Sequence, residues 1–216
     1  MRILESAPRR YERGMRVLTL GRLEAAWERL AARVEPGQRV IDLGCGTGAL
    51  AVRAARRGAR VKAIDIAPEM LEITRAAAAA AGPSAAVEAV EMGVAELDRE
   101  APESFDAVLS SLCFSELSED EQRFTLGEVY RILKPGGLCL LADETRPQGA
   151  AARLLYRVMR APLVALAYIF TQQTTRPVDD LPGKLGRAGL VVESVRAGAL
   201  GGLAEFVARK PEGRPT

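Results

Sequence analysis

The chain contains no histidine in 216 residues. That absence removes the imidazole general base, the Ser-His-Asp triad and the usual zinc sites. Aromatic residues are sparse at 5%. Cysteines number three, Cys45, Cys113 and Cys139, too scattered to form a disulfide framework. Their odd number suits a reducing compartment, so a cytoplasmic location is expected. The opening MRILESAPRRYERG lacks the apolar stretch of a secretory signal. The longest uncharged run, between Arg160 and Arg176, has 15 residues, where roughly 20 are needed to span a bilayer. Net charge is nearly absent as well. Lys+Arg 30 against Asp+Glu 28 leaves +2, so no nucleic-acid partner is expected.

What is present is an ordinary globular composition, 48% hydrophobic and 27% charged. A chain of this length buries roughly 70% of its unfolded surface and needs no covalent or metal staple. Charge is unevenly placed, +8 over residues 1–62 and −10 over residues 85–128, which reads as a bipolar, solubilising surface.

The periodicity divides the chain without any linker or repeat. Residues 1–37 read as an N-terminal helical extension, with helices around Gly14–Leu20 and Gly21–Arg33. The second carries Leu23, Trp27 and Leu30 on one stripe. RVIDLG (39–44) and RVKAID (60–65) are β-rich runs bracketing a helical AVRAARRG, the spacing of a parallel strand–helix–strand unit. The Ala76–Ala81 run is helical and stops at Gly82-Pro83. AVEAVEM (86–92), FDAVLSS (105–111) and GLCLLAD (137–143) read as further strands, with a helix over 119–133. LVVESVRA (190–197) and LAEFVARK (203–210) read as a terminal hairpin. The expectation is one α/β domain, with a core at 38–145, an insert at 146–189 and the hairpin at 190–210.

The sharpest local signal is VIDLGCGTGAL (40–50), where a buried strand ends at Asp42 and Gly44, Gly46 and Gly48 follow at alternate positions before a helix. Residues without Cβ let a backbone turn tightly and approach a ligand closely. Asp65 ends the next strand, 21 positions beyond Gly44, where its carboxylate would accept from both hydroxyls of a ribose. The pattern reads as a cradle for an adenosine-type nucleotide. GCGTGA also satisfies the dinucleotide fingerprint G-x-G-x-x-G/A, but Asp42 two residues before the first glycine is atypical of dinucleotide folds. Asp42 suits a loop that holds an amino-acid moiety.

DLGCGTG (42–48), AIDIAPEML (63–71), SFDAV (104–108) and EVYRILKPGG (128–137) occur in one order and spacing. In these motifs the chain resembles the class I S-adenosylmethionine-dependent methyltransferases, over about residues 38–145 and the closing strands. In overall style it is similar to the ubiquinone/menaquinone-biosynthesis group. The segment ILESAPRRYERGMRVLTLGRL, with LSSLCFSELSEDE, also resembles a corrinoid protein-associated subgroup. The resemblance implies a doubly wound, Rossmann-like, mostly parallel sheet of seven strands, the last antiparallel, with N-terminal helices and a helical insert after strand five. It implies S-adenosyl-L-methionine as cofactor. Carried onto this sequence, Asp42, Gly44, Cys45, Gly46 and Gly48 line the methionine portion, Asp65 binds the ribose, and Ile66 and Met70 flank the adenine. Where the family commonly has an Asp after strand three, EMGVAEL (91–97) has Val94, leaving adenine to the backbone of Gly93, Val94 and Ala95. Ser110 and Ser111 end strand four beside the expected methyl group.

Methyl transfer from a sulfonium needs no histidine, because the leaving group is excellent and proximity alone supplies much of the rate. Any base must then be a carboxylate, Tyr or Cys. Glu116 is the first candidate, although a carboxylate near a helix N-terminus also has a purely structural use. Tyr11 is the second, in a segment that by resemblance folds over the cofactor. Asp143-Glu144 at the end of strand five offer too few ligands for a metal site, and Asp65 at a solvent-lined crevice is expected to be dispensable for folding. The stretch RLLYRVMRAPLVALAYIFTQQTTRP (153–177) reads as a cap helix, as the wall of a lipophilic acceptor pocket, or as a membrane-surface contact. The leading expectation is a methyltransferase acting on a small or lipophilic acceptor, linked to corrinoid or quinone metabolism, a corrinoid protein being one partner. A non-catalytic S-adenosylmethionine-binding partner protein and an NAD-dependent oxidoreductase are the alternatives.

Overall fold

The computed structural model describes residues 21–82, 85–145, 177–197 and 202–213. The helix expected around Gly14–Leu20 and most of the 146–189 insert lie outside these residues. The helix expected next is α1 (Arg22–Ala31), which buries Leu23, Ala26, Leu30 and Ala31 on one stripe and leaves Trp27 half-buried. Alternation then follows, with β1 (Arg39–Leu43), α2 (Ala49–Arg56), β2 (Arg60–Asp65), α3 (Pro68–Ala80) and β3 (Val87–Glu91). Pro68 opens α3, where its missing N–H would have no helical partner in any case. After a 3-10 turn at Val94–Arg99 come β4 (Phe105–Ser111), a second short turn at Phe114–Glu116 and α4 (Glu119–Ile132). Ser118 and Glu121 cap α4 reciprocally: the Ser118 hydroxyl accepts from the Glu121 N–H at 3.3 Å, and the Ser118 N–H donates to the Glu121 carboxylate at 2.8 Å. The chain closes through β5 (Leu133–Thr145), α5 (Leu181–Arg187), β6 (Val191–Ala197) and β7 (Gly202–Arg209).

The seven strands form one sheet in the order β3-β2-β1-β4-β5-β7-β6. All pairings from β3 to β5 are parallel, and β7 runs antiparallel between β5 and β6, as the terminal hairpin required. Strand five departs from expectation by starting at Leu133 instead of residue 137. Phe105 pairs with Leu133 and Ala107 with Leu138, so Lys134–Gly137 bulges out of the ladder. Each face of the sheet has its own core. One gathers Ile41, Leu43, Phe114, Leu126, Ile132 and Phe206 beneath α4 and α5, and the other packs Val40, Leu50, Ala54, Leu71, Leu109 and Leu140 beneath α1, α2 and α3. Strand order reverses between β1 and β4, so a crevice opens at their carboxyl ends, where such sheets bind ligands.

Phe206, 1% exposed, ties the antiparallel strand into the first core. Phe206→Ala should lower the unfolding free energy by about 3–5 kcal/mol in urea denaturation. A loss below about 1 kcal/mol would place the ring outside the close-packed interior.

Candidate active site

The carboxyl edge of β1 turns through three residues with positive φ: Gly44 (60°), Gly46 (53°) and Gly48 (74°). Each is in the left-handed region that side chains disfavour. Their surroundings differ. A Cβ at Gly44 would fall 2.7 Å from Cys113 Sγ, and one at Gly48 would fall 2.7 Å from Thr74 Oγ1. Only at Gly46 is the space open. Two of the three glycines therefore answer to the protein's own side chains, from the loop after β4 and from α3, and one faces free space where a ligand backbone can approach.

Asp65 holds this loop in place. Its Oδ2 accepts from the Gly46 N–H at 2.8 Å and its Oδ1 from the Ala67 N–H at 2.9 Å. The Cys45 N–H donates to the Ile64 carbonyl at 2.9 Å. The expectation that Asp65 is dispensable for folding is corrected: it satisfies two backbone donors, and its loss leaves both short of a partner. Each oxygen keeps lone-pair capacity for a further donor. Beside it Ile66 is 75% exposed, the most exposed of the large hydrophobic side chains described, and Gly93 approaches so closely that a Cβ there would lie 3.2 Å from Ile66 Cγ2. Met70 and Val94 are half-buried and Ala95 is exposed.

Asp42 is 1% exposed, and neither carboxylate oxygen has a hydrogen-bond partner. Burial pushes its acid up to about 7. The Ala51 N–H in the first turn of α2 offsets part of the rise without closing a bond of normal geometry, and the Asp65 charge adds to it. Cys45 turns its side chain inward, with Sγ 3.7 Å from Thr74 Oγ1, and burial pushes its thiol up as well. Ser110, expected beside the methyl group, faces the interior. It is 1% exposed and its hydroxyl donates to the Leu43 carbonyl at 3.1 Å, stitching β4 to β1. Strand alternation sends Ser111 to the opposite face, where its hydroxyl accepts from Trp27 Nε1 at 2.7 Å.

The loop after β4 carries Cys113 and Glu116. Glu116 exposes part of its side chain; burial of the rest and the nearby Asp65 charge hold its carboxyl above the ordinary range. Asp143 at the end of β5 is 1% exposed and accepts from the Phe114 N–H at 2.8 Å and the Glu144 N–H at 2.7 Å. Burial pushes it up to about 7 despite these donors. Thr74, Gln122 and the Trp27–Ser111 bond went unread in the sequence, which gave no local pattern for them. Tyr11 lies outside the described residues. Among the described residues no three His, Cys, Asp or Glu side chains group as a metal site, and no helix is long and apolar enough to cross a membrane. A polar depression of about 440 Å³ lined by Arg33, Gln38, Asp106, Gly136 and Arg209 sits at the amino edge of the strands, opposite the glycine loop.

Comparison with known proteins agrees with this geometry. A family described as "Methyltransferase domain" matches residues 40–137. A demethylmenaquinone methyltransferase of Thermus thermophilus is 37% identical over 163 residues, covering 71% of this chain and 69% of the relative. A ubiquinone biosynthesis O-methyltransferase of Xanthomonas campestris is 38% identical over 125 residues, 57% of this chain and half (50%) of that protein. The crystal structure of a putative methyltransferase from Bacillus halodurans superposes with a TM-score of 0.68 at 18% identity, over 87% of this chain and 98% of that one.

Asp42 and Asp143 share a linkage consequence. Both acids are raised in the folded state from 3.8 to about 7, so the fold holds protons that the unfolded chain has lost. Their contribution to stability is full below the unfolded value and is lost as pH rises toward about 7. The denaturation midpoint of the ligand-free protein should fall between about pH 5 and pH 8, and Asp42→Asn should raise stability at pH 8 by about 1–3 kcal/mol. A midpoint that rises over this window, unaltered by the substitution, would contradict the assignment.

Proposed function

We propose, from the premise that this chain belongs to the class I S-adenosylmethionine-dependent methyltransferases, that its acceptor is a small lipophilic ring compound of the quinol type. S-adenosyl-L-methionine is the methyl donor, and when bound it supplies a methyl group activated by a positively charged sulfur. The acceptor reading rests on one observation, the identity to a demethylmenaquinone methyltransferase across 71% of this chain. The corrinoid-linked reading rests on residues 3–23, of which 3–20 lie outside those described, and on residues 109–121; the relatives above support the quinone reading. The membrane-contact reading of 153–177 likewise falls almost wholly outside them.

The residues present fit the donor. Asp42 is a buried carboxylate without a hydrogen-bond partner beside the glycine loop, suited to an ammonium group, and the space over Gly46 is open. Asp65 keeps the capacity to accept from a ribose diol while holding its two backbone donors. Ile66 presents an uncovered apolar surface for the adenine ring, with Met70 and the Gly93–Ala95 backbone around it. The open face of Gly46 carries the methionine chain, flanked by the backbone of Gly44, Cys45 and Gly48. Ser111 stands at the end of β4 on the α1 side, and its hydroxyl reaches the site only if the Trp27 bond yields.

A quinol becomes a strong nucleophile when a ring hydroxyl loses its proton, and the candidate to receive it is Glu116. Its carboxyl is raised by burial and by Asp65, which makes it a better base than a free glutamate once ionised. Tyr11 is the second candidate, from the segment that by resemblance closes over the donor.

The direct test is incubation with S-adenosylmethionine and a short-chain demethylmenaquinol, reading S-adenosylhomocysteine release and the mass of the methylated ring. S-adenosylhomocysteine binding without methylation of this quinol or of a polyprenyl catechol would favour a non-catalytic binding protein; calorimetric NAD binding in its place would favour an oxidoreductase. Asp65→Ala should weaken S-adenosylhomocysteine binding by about 1.5–3 kcal/mol and also lower stability. Glu116→Gln should reduce kcat about 100-fold while leaving that affinity within about threefold. Unchanged turnover would remove Glu116 from the reaction.

A further inference from the structure

The loop joining β4 to α4 is held far more firmly than a connection needs. Leu112 has φ 58°, a left-handed conformation that a leucine adopts only when its surroundings impose it. Its N–H donates to the Ala142 carbonyl at 2.8 Å, and the Ser115 hydroxyl donates back to the Leu112 carbonyl at 3.3 Å. Both peptide groups of Phe114 are then gripped from outside the loop. Its N–H is taken by Asp143 Oδ2 at 2.8 Å, and its carbonyl accepts from Gln122 Nε2 at 2.8 Å. The same Gln122 amide reaches the Leu117 carbonyl at 3.0 Å, and the Gln122 oxygen accepts from Lys184 Nζ on α5. Lys184 is fixed in turn by Glu119. The Phe114 ring is fully buried.

These contacts hold the loop that carries the half-buried Cys113 and the exposed Glu116. Cys113 Sγ occupies the space a Cβ at Gly44 would need, so the loop lies directly against the glycine turn. Burial raises the Cys113 thiol, and the charges of Asp143, Glu116 and Asp65 add to the rise. We propose that Asp143 and Gln122 are positioning residues: by clamping the Phe114 peptide they hold Glu116 and the Cys113–Gly44 contact in register with the donor-binding turn. The proposal rests on the methyltransferase reading above. Neither residue touches the reacting atoms; both act through Phe114, and α5 reaches the site through Lys184.

The test compares Asp143→Ala, Asp143→Asn and Gln122→Glu in the full chain. Gln122→Glu preserves size and the Lys184 contact but cannot donate to the two carbonyls. Asp143→Asn keeps an acceptor for the Phe114 N–H. Hydrogen exchange of the amides of residues 113–117 should quicken about tenfold in Asp143→Ala and Gln122→Glu, the equivalent of one lost hydrogen bond, and return toward wild type in Asp143→Asn. With the short-chain demethylmenaquinol, kcat should fall about 10- to 100-fold in the first two while S-adenosylhomocysteine affinity stays within about threefold. Unchanged exchange in Gln122→Glu, or affinity lost in parallel with kcat, would overturn the proposal. Failure of the wild-type protein to bind S-adenosylhomocysteine at all would instead sink the functional reading, and the exchange measurement would still decide the clamp.

Discussion

The glycine turn after β1 depends on the Asp65 carboxylate and the two backbone N–H groups it accepts from. Gly44, Gly46 and Gly48 each take a left-handed turn, and a chain with that freedom loses much conformational entropy on ordering. The bond from Gly46 to Asp65 fixes the middle of the turn, and the bond from Ala67 fixes the entry into α3 with the same side chain. Thr74, about two turns into α3, then donates from its hydroxyl to the Gly46 carbonyl at 2.9 Å and fills the space beside Gly48. The chain's own bonds hold the turn. A turn held in this way spends little binding energy on ordering itself.

The same edge concentrates negative charge. Asp42, Asp65, Glu116 and Asp143 all stand at or just beyond the carboxyl ends of parallel strands; burial raises three of these acids, and a neighbouring carboxylate, Asp65 for Asp42 and Glu116, and Glu144 for Asp143, adds to the rise. Arg39 and Arg60, paired neighbours at the starts of β1 and β2, and Arg56 and Arg57 at the end of α2 lie at the other edge. The charge asymmetry of the sequence thus becomes in part an axis along the strands. A cationic donor is favoured at the negative end, and a product that has lost its sulfonium charge is favoured less, which biases exchange toward turnover.

How much of this was legible depended on the range of the interactions. The strands, the α1 stripe and the turn after β1 follow from local patterns, and β2 and β4 begin and end where their alternation predicts. The reasons for Gly44 and Gly48 did not follow, because they lie in Cys113 and Thr74, residues remote in sequence whose approach no periodicity records. Ser110 and Ser111 looked equivalent as neighbours. Only the pleat decides that one bonds the Leu43 carbonyl and the other meets Trp27. Gln122 is 4% exposed because its amide serves two carbonyls of another segment, which no local pattern records. Strand five was expected to start at Gly137, whereas it pairs from Leu133 and the sheet absorbs Lys134–Gly137 as a bulge, a long-range pairing that local pattern does not record.

The direction of α1 connects these observations to the rim of the site. Its last turn leads to the start of β1, so α1 runs against the strands and its first residue, Arg22, stands at their carboxyl edge. Trp27, the chain's single tryptophan, bonds Ser111 there, with the Arg53 guanidinium 5.2 Å from its ring centroid; Arg29 bonds Glu205 of β7 at 2.9 Å. β5 also ends at this edge, at Thr145. The chain therefore enters α1 and leaves β5 at the edge that bears the glycine turn, and the fold directs both junctions toward one mouth. The donor half of the site is held by the sheet and by bonds within the turn after β1, none of which involves either junction. Changes at the junctions therefore leave the Asp65 turn untouched.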